Sequence, residues 1–346
     1  MKKTVFLFSI GVVFLTGCKW RVEPLPQEPL AFKTPNNFPP PIYAIGNNPV
    51  NTAGFELGKA LFYDPLLSRD GTVSCGSCHQ QVSGFAHQDH ALSHGIDNKV
   101  GARNGPALIN LAWQASFFFD GGVNDLDLQP IAPIENPVEM DEKMANVLLK
   151  LKNSTRYPAM FEKAFGSRDI TTAKTLKAFS QFMVMLISAN SKYDKMRRGE
   201  LVFSPDENTG LQIFNQKCAT CHAGELFTDK SFSNNGLPLN PPPAFNDQGR
   251  FLITQQNTDL FKFKMPTLRN IEKTAPYMHD GRIATLEGVI AHYLTPALTP
   301  NVDPRLRQFP GGFLGIPLTV NERAKILTFL KTLTDEEFLK NPLFAE

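Results

Sequence analysis

A mainly α-helical chain in two halves is what this sequence predicts, and three observations carry that expectation. Apolar residues recur at helical spacing in several stretches. Two capping boxes, Ser204-Pro205-Asp206-Glu207 and Thr319-Val320-Asn321-Glu322, announce helix starts. One pattern, Cys-x-x-Cys-His, occurs at 75–79 and again at 218–222, once in each half. The 346 residues, 42% hydrophobic and 20% charged, suffice for two domains with their own cores.

The chain opens MKKTVFLFSIGVVFLTGC. Two lysines precede an apolar run from Val5 to Leu15 that is too short and wrongly flanked for a permanent membrane span, so residues 1–17 read as a signal peptide. Leu15-Thr16-Gly17-Cys18 resembles the bacterial lipobox, which implies a lipid anchor on Cys18 and export to the periplasm. Lys19, rather than Asp, after that cysteine points to the outer membrane by the enteric sorting rule. Removing Lys2 and Lys3 leaves 33 basic residues against 33 acidic, so no electrostatic case exists for nucleic acid or for a polybasic membrane surface. Residues 18–48 are proline-rich without helical periodicity and read as an extended tether.

The first domain is expected over 49–198. Its helices include 141–152, amphipathic with an acidic start, and 171–188, longer and more apolar. The boundary falls near 193–206, and 199–346 forms the second domain. The Ser204 capping box, with proline at the first helical position, opens a helix leading to Cys218. Consecutive prolines make 233–250 a loop. The next helix carries Leu286, Val289, Ile290 and Leu294 on one face. Tyr293 lies ~20° from Leu286 on that wheel and faces inward, whereas His292 points roughly 120° away. The last expected helix places Ile326, Leu327, Leu330 and Leu333 on one side, and the chain's last helix is placed to pack back on the first domain. No internal repeat beyond the two Cys-x-x-Cys-His motifs is evident.

The cysteine count is five, and with Cys18 reserved for lipid all four others fall in the two motifs: Cys75, Cys78, Cys218 and Cys221. A zinc ribbon keeps its cysteine pairs close in sequence and requires no following histidine, and a redox Cys-x-x-Cys wants a βαβ context absent here. Covalent c-type haem remains. Two thiols about one helical turn apart reach two vinyl groups on one porphyrin edge, and the adjacent imidazole turns beneath the ring to bind iron. The fold class is therefore mainly α with two cytochrome c-like haem domains, His79 and His222 being the proximal ligands of two c-type haems.

From about residue 50 to 335 the chain resembles the bacterial dihaem cytochrome c peroxidases, a family that includes MauG-type enzymes. The resemblance rests on the two haem motifs together with GARNGPALIN (101–110), FFFDGGVNDL (117–126), PIENPVEM (133–140), MPTLRN (265–270) and TAPYMHDGR (274–282). It implies reduction of hydrogen peroxide to water with electrons from a small donor such as cytochrome c. It implies that Glu139 lies over the distal face of the first haem, suited to moving a proton between the peroxide oxygens. It makes His94 a switchable distal ligand of that haem, with His87 and His90 nearby. It places methionine or, in MauG-like members, tyrosine at position 293, so Tyr293 becomes the sixth ligand of the second haem, in competition with Met278 and Met265. A phenolate there favours ferric iron, where a thioether favours ferrous. The resemblance also assigns one Ca2+ between the domains to Asn104, Thr274 and Pro276, and it is compatible with a homodimer. Two departures stand out. Phe119 occupies the position where the family usually has a tryptophan suited to electron relay, and Gln216 replaces a MauG surface tryptophan. Trp113 reads as core. A MauG-like oxidase of a protein partner and a non-catalytic dihaem electron carrier are the alternatives.

Overall fold

The computed structural model describes residues 29–240, 246–307 and 314–346, so the signal segment 1–17, Cys18 and the start of the tether lie outside the described residues. Among the described residues the helices are α1 Thr52–Tyr63, α2 Cys75–Cys78, α3 Ile131–Glu135, α4 Met144–Asn153, α5 Tyr157–Phe165, α6 Thr172–Met183, α7 Lys192–Arg197, α8 Pro205–Lys217, α9 Phe251–Thr254, α10 Leu286–Leu294, α11 Val320–Lys331 and α12 Glu336–Lys340. Among the described residues, sheet is confined to an antiparallel pair, β1 Phe232–Ser233 and β2 Phe263–Lys264, with Phe232 opposite Lys264. Both sequence-predicted capping boxes form, at the starts of α8 and α11.

Two expected helices are shorter than their periodicity suggests. The one expected from 141 starts at Met144, because Asp141 adopts left-handed backbone (φ 49°) and Glu142 folds back to accept from Lys143 N (2.9 Å) and pair with Lys150 (2.6 Å). The one expected to reach 188 ends at Met183, and the following residues hydrogen-bond elsewhere: Leu186 O accepts from Asn110 N and Ser188 N donates to Asn110 Oδ1, both at 2.9 Å.

The apolar residues form two cores. In the first, α1 crosses α6 so closely that a Cβ on Gly58 would overlap the Ala178 carbonyl. Phe55, Phe62 and Phe182 fill the space between them with ring centroids 5.1–5.5 Å apart. The end of the chain joins this core through Phe338 and Phe344, and Phe344 O accepts from Tyr63 Oη (2.8 Å). In the second core α8 lies against α11, again through a glycine, Gly210, packed on Lys325 O. Phe214, Phe227, Phe329 and Tyr193 cluster there, with Phe214 and Phe329 5.0 Å apart.

The structure contains a repeat that the sequence marks only by scattered identities. Asn110 (φ 55°) precedes a 3-10 turn at Leu111–Trp113, and Asn270 (φ 58°) precedes one at Ile271–Lys273. Each is followed by a small loop closed by a bridge, Phe117 with Val123 and Tyr277 with Ile283. In both loops the residue after the first bridge partner is left-handed, Phe118 (φ 64°) and Met278 (φ 76°), and so is the glycine of the Asp-Gly pair, Gly121 and Gly281. All these pairs stand at one constant offset in residue number. Asparagine tolerates left-handed backbone better than most residues; Pro106, Leu108, Ala115 and Leu126 also recur at this offset as Pro266, Leu268, Ala275 and Leu286, while most other side chains differ.

The two asparagines meet at a buried polar junction. Asn110 Nδ2 donates to Ser188 O (3.1 Å), Asn270 Nδ2 to Ser188 Oγ (3.0 Å), Ser188 Oγ to Asp335 Oδ2 (3.1 Å) and Asp335 N to Asn270 Oδ1 (2.7 Å). Beside it, the fully buried Arg269 grips Asp194 with two bonds of 2.8 Å and lies over the Phe38 ring of the first core. Burial alone would raise the Asp194 carboxyl, but Arg269 and the Ser191 cap outweigh it and hold the group below the usual carboxylate range. A depressed carboxylate contributes stability above its unfolded value of about 3.9, which is lost as pH falls through the folded value. Asp194→Asn, which strands the Arg269 charge, is expected to cost about 3–5 kcal/mol in denaturant unfolding and to flatten the acid limb of the stability–pH curve below about pH 4.

Candidate haem sites

The first site is built by a short helix. Ser74 caps α2, its Oγ accepting from Ser77 N and its own N donating to Ser77 Oγ, which fixes the Cys75–Cys78 turn. Both cysteines are unpaired. Burial pushes the Cys75 thiol up to about 12 and the Cys78 thiol to about 11, so both are protonated at neutral pH. His79 closes the turn and its Nδ1 donates to Phe85 O (2.8 Å). That carbonyl is aimed by left-handed backbone at Gly84 (φ 66°) and Phe85 (φ 57°), and Phe85 is anchored in the first core. Burial pushes the imidazole down to about 4, outweighing the Phe85 bond, so it is neutral at physiological pH.

The second site repeats the device. Cys218 caps the end of α8 and His222 N donates back to Cys218 O (3.0 Å). His222 Nδ1 donates to Phe227 O (3.3 Å), Phe227 being left-handed (φ 51°) and set in the second core. Burial likewise lowers this imidazole to about 4 and raises the Cys218 thiol to about 12. A cleft opens over the motif, lined by His222, Tyr293, Met265, Leu306 and Ile316 among others.

These features fit covalently bound haem. Each ring spends Nδ1 on a backbone carbonyl and so presents Nε2, the second-sphere arrangement that orients a metal-binding histidine. Each thiol pair is neutral and beside its histidine, and the cleft is largely apolar. No group of three or more His, Cys, Asp or Glu side chains suited to a metal ion gathers among the described residues. Phe85 and Phe227 are the functional residues missed by the sequence reading; the only signal was an aromatic soon after a glycine behind each motif.

Glu139 stands at the end of the turn after α3. Its Oε1 accepts from Asn136 Nδ2 (2.7 Å), and burial holds its carboxyl above the usual range against that bond. Its backbone is bound to the His94 loop: Ile96 N donates to Glu139 O (2.7 Å), and a Cβ on Gly95 would overlap the Val138 carbonyl. The same loop reaches the first motif, where Cys78 Sγ lies 3.9 Å from His94 O. Glu139 is also near enough to both thiols to raise them. The structure thus gathers Glu139, the His94 loop and Cys75–His79. The His94 ring bonds Asn98 Oδ1 through Nδ1 (2.7 Å) and stacks on His90, 4.7 Å away, which pairs in turn with His87.

Tyr293 lines the His222 cleft, as does Met265, while burial raises the phenol to about 12. His292 turns its Nε2 to Asn235 O (3.0 Å). Asn104 is buried against the loop that follows Thr274 and Pro276: its N donates to His279 O (2.8 Å) and its Nδ2 to Ala91 O (2.9 Å). Trp113 is fully buried, bonding Pro39 O (2.7 Å) and packing edge-on to Phe38. The Phe119 carbonyl accepts from Lys264 N (2.7 Å), and Gln216 lies on α8.

Two histidine-bearing thiol pairs in a helical, two-core chain define a dihaem c-type cytochrome, with the half-buried Glu139 carboxyl beside the first site. The family model for di-haem cytochrome c peroxidase matches residues 52–201. MauG of Methylorubrum extorquens, a methylamine utilization protein, is 34% identical over 88% of this chain and 84% of its own length. The cytochrome c551 peroxidase of Nitrosomonas europaea is 34% identical over 86% of this chain and 84% of its own. Among solved structures, a MauG-like protein associated with microbial copper homeostasis superposes with a TM-score of 0.80 at 32% identity, covering 91% of this chain and 98% of that one. The dihaem peroxidase BthA of Burkholderia thailandensis shares the fold, with a TM-score of 0.73 at 22% identity over 85% of this chain and 90% of its own. The chain belongs to the dihaem cytochrome c peroxidase and MauG family. Pyridine haemochrome analysis of purified protein is expected to count two c-type haems per chain, falling to one in Cys218→Ser/Cys221→Ser.

Proposed function

We infer that this protein is a dihaem peroxidase that reduces hydrogen peroxide to water, taking two electrons from a small redox protein such as cytochrome c. The observation that carries the reading is the packing of Glu139 and the His94 loop against Cys75–His79, which sets the Glu139 carboxyl, hydrogen-bonded to Asn136, beside the first motif, whereas the carboxyl lining the second cleft, Asp303, is paired with Arg305. The haems, when bound, supply the iron that accepts peroxide and the couple that delivers electrons. The chain's own residues do the rest. Glu139, kept above the usual carboxylate range by burial and tethered by Asn136, takes the proton from one peroxide oxygen and returns it to the other, so that the leaving group is water. Two electrons and two protons then complete two water molecules.

His94 would be the switchable ligand of the first haem, and Tyr293, which lines the cleft with His222, would supply the sixth ligand of the second. With the Asn104 Nδ2 committed to Ala91, its Oδ1 is the oxygen offered to an interdomain Ca2+, together with the Thr274 and Pro276 carbonyls. Export to the periplasm, lipidation at Cys18, an outer-membrane address and a homodimer complete the reading. Among the described residues no helix is long and apolar enough to cross a membrane. Tyr293 also favours a second reading, a MauG-like oxidase of a protein partner. Phe119 at the bridge and Gln216 at the surface oppose it, since neither side chain is readily oxidised.

Glu139→Gln is expected to keep both haems and lose about 10²–10⁴-fold in peroxide turnover. Because the general base must be ionised, wild-type kcat/KM should fall on the acid side at a pH above the ordinary carboxylate range, and that limb should vanish in the variant. Full turnover by Glu139→Gln would overturn the assignment.

A further inference from the structure

The end of the chain crosses from the second half to the first and finishes against the first thiol turn. Leu333 still belongs to the second core, and by Phe338 the chain has entered the first. Asp335 lies between them, 2% exposed, with both carboxyl oxygens committed. Its Oδ2 accepts from Ser188 Oγ (3.1 Å) and Asn190 N (2.9 Å), and its Oδ1 caps α12 by accepting from Phe338 N (3.1 Å). The start of α12 is therefore fixed at the polar junction. What α12 and the tail carry packs on Phe85, whose carbonyl accepts from His79 Nδ1. The Phe338 ring lies 5.8 Å from the Phe85 ring and the Phe344 ring 6.5 Å from it. Gln81, in the turn between His79 and Phe85, donates from Nε2 to Phe338 O (3.1 Å) and Asn341 O (2.8 Å). A second contact reaches the thiol turn itself. Tyr63, whose Oη donates to Phe344 O (2.8 Å), lays its ring on Gly76, where a Cβ would overlap it. The second motif, with Ala219 at the matching position, is served differently: Phe227 packs on Tyr193, Phe214 and Phe329, all members of its own core.

We propose that the chain's end, Asp335–Phe344, is a brace that positions His79, with Phe338 and Phe344 as positioning residues acting through the Phe85 carbonyl. The proposal rests on the dihaem reading, in which His79 binds the first iron. A ring nitrogen that donates to a well-held carbonyl makes the other nitrogen a stronger and better oriented metal donor, which favours ferric iron. Phe85 sits in left-handed backbone (φ 57°), an uncommon setting for a bulky residue, so the aim of its carbonyl depends on packing rather than on chain preference. Phe62 of α1 and Phe182 of α6 also touch the Phe85 ring (6.0 and 6.4 Å), so losing the chain-end contacts removes part of its support rather than all of it. The proximal side of the first site is thus held by a segment anchored at the contact between the two halves, whereas the second site is held from within.

The test uses the purified dihaem protein and reads the iron–histidine bond and the potential, not activity. His94→Gly is the common background, which leaves His79 as the axial side chain of the first iron. Resonance Raman of the ferrous protein then gives its Fe–Nε2 stretching band, assigned by its loss in His79→Gly. In Phe338→Ala the band should move to lower frequency, and the ferrous-to-ferric ratio of the first haem at fixed potential should rise about threefold, about 30 mV for a one-electron couple. Phe338→Leu, which refills the space, should return both towards the parent values. Gln81→Leu, which cuts two bonds to the chain end without opening the core, should shift the band in the same direction, and it keeps the idea testable should Phe338→Ala fold poorly. Phe161→Ala opens the same core on α5, beside Phe165 (6.1 Å); it should cost comparable stability in denaturant unfolding and leave band and ratio where they were. A folded Phe338→Ala with both readouts unmoved, an unmoved band in Gln81→Leu, or an equal shift in Phe161→Ala would overturn the brace. Haemochrome counts separate the premises: two haems with these negative results sink only the brace. Fewer than two in the parent protein, or a band that survives His79→Gly, sinks the dihaem reading and the brace with it.

Discussion

Everything in this molecule is arranged around the buried polar contact where Asn110, Ser188, Asn270 and Asp335 meet. A hydrogen-bond network with no access to water is costly unless each member is satisfied, and when satisfied it admits one arrangement. That constraint sets the two cores against each other. It draws the end of α6 out of its helix and fixes the two left-handed asparagines from which the repeated loops depart. The Arg269–Asp194 pair extends the lock, since its guanidinium touches Phe38 of one core and Phe227 of the other. Replacing such a pair by apolar groups need not lower stability; its service here is to define one relative placement of two cofactor-bearing halves.

Within each half the catalytic apparatus depends on a smaller version of the same logic. A core phenylalanine in left-handed backbone turns its carbonyl to the histidine ring, and the ring's second nitrogen is then presented outward. Each histidine ring is thus tied to the hydrophobic core through one hydrogen bond, so a change in core packing reaches the ring directly. The two halves diverge beyond that point. The first places the Glu139 carboxyl on the loop network beside its thiols, and the second lines its cleft with Tyr293, Met265, Leu306 and Ile316 and with the Asp303–Arg305 ion pair. One site suits proton transfer to a small oxidant, while the other suits holding charge.

The turns of the two Cys-x-x-Cys-His motifs and the starts of the long helices were legible in the sequence because each is a local affair. Two thioethers and an imidazole must lie within one turn of chain, so Cys75–His79 and Cys218–His222 carry their chemistry in their spacing, and the capping boxes at Ser204 and Thr319 satisfy donors only three residues away. The inward face of α10 was legible for the same reason, since its periodicity belongs to one helix. What only the tertiary structure decided involves partners distant in the chain or backbone that leaves no compositional trace. The carbonyls of Phe85 and Phe227, the meeting of Asn110 with Asn270, and the packing of Glu139 on the His94 loop depend on loops brought together by the cores. The repeated loops stayed hidden because left-handed geometry at Phe118 and Met278 is imposed by surrounding contacts rather than encoded by glycine. Helix ends were overextended on sequence evidence at Asp141 and Ser188 because tertiary hydrogen bonds there outcompeted continuation of the helix.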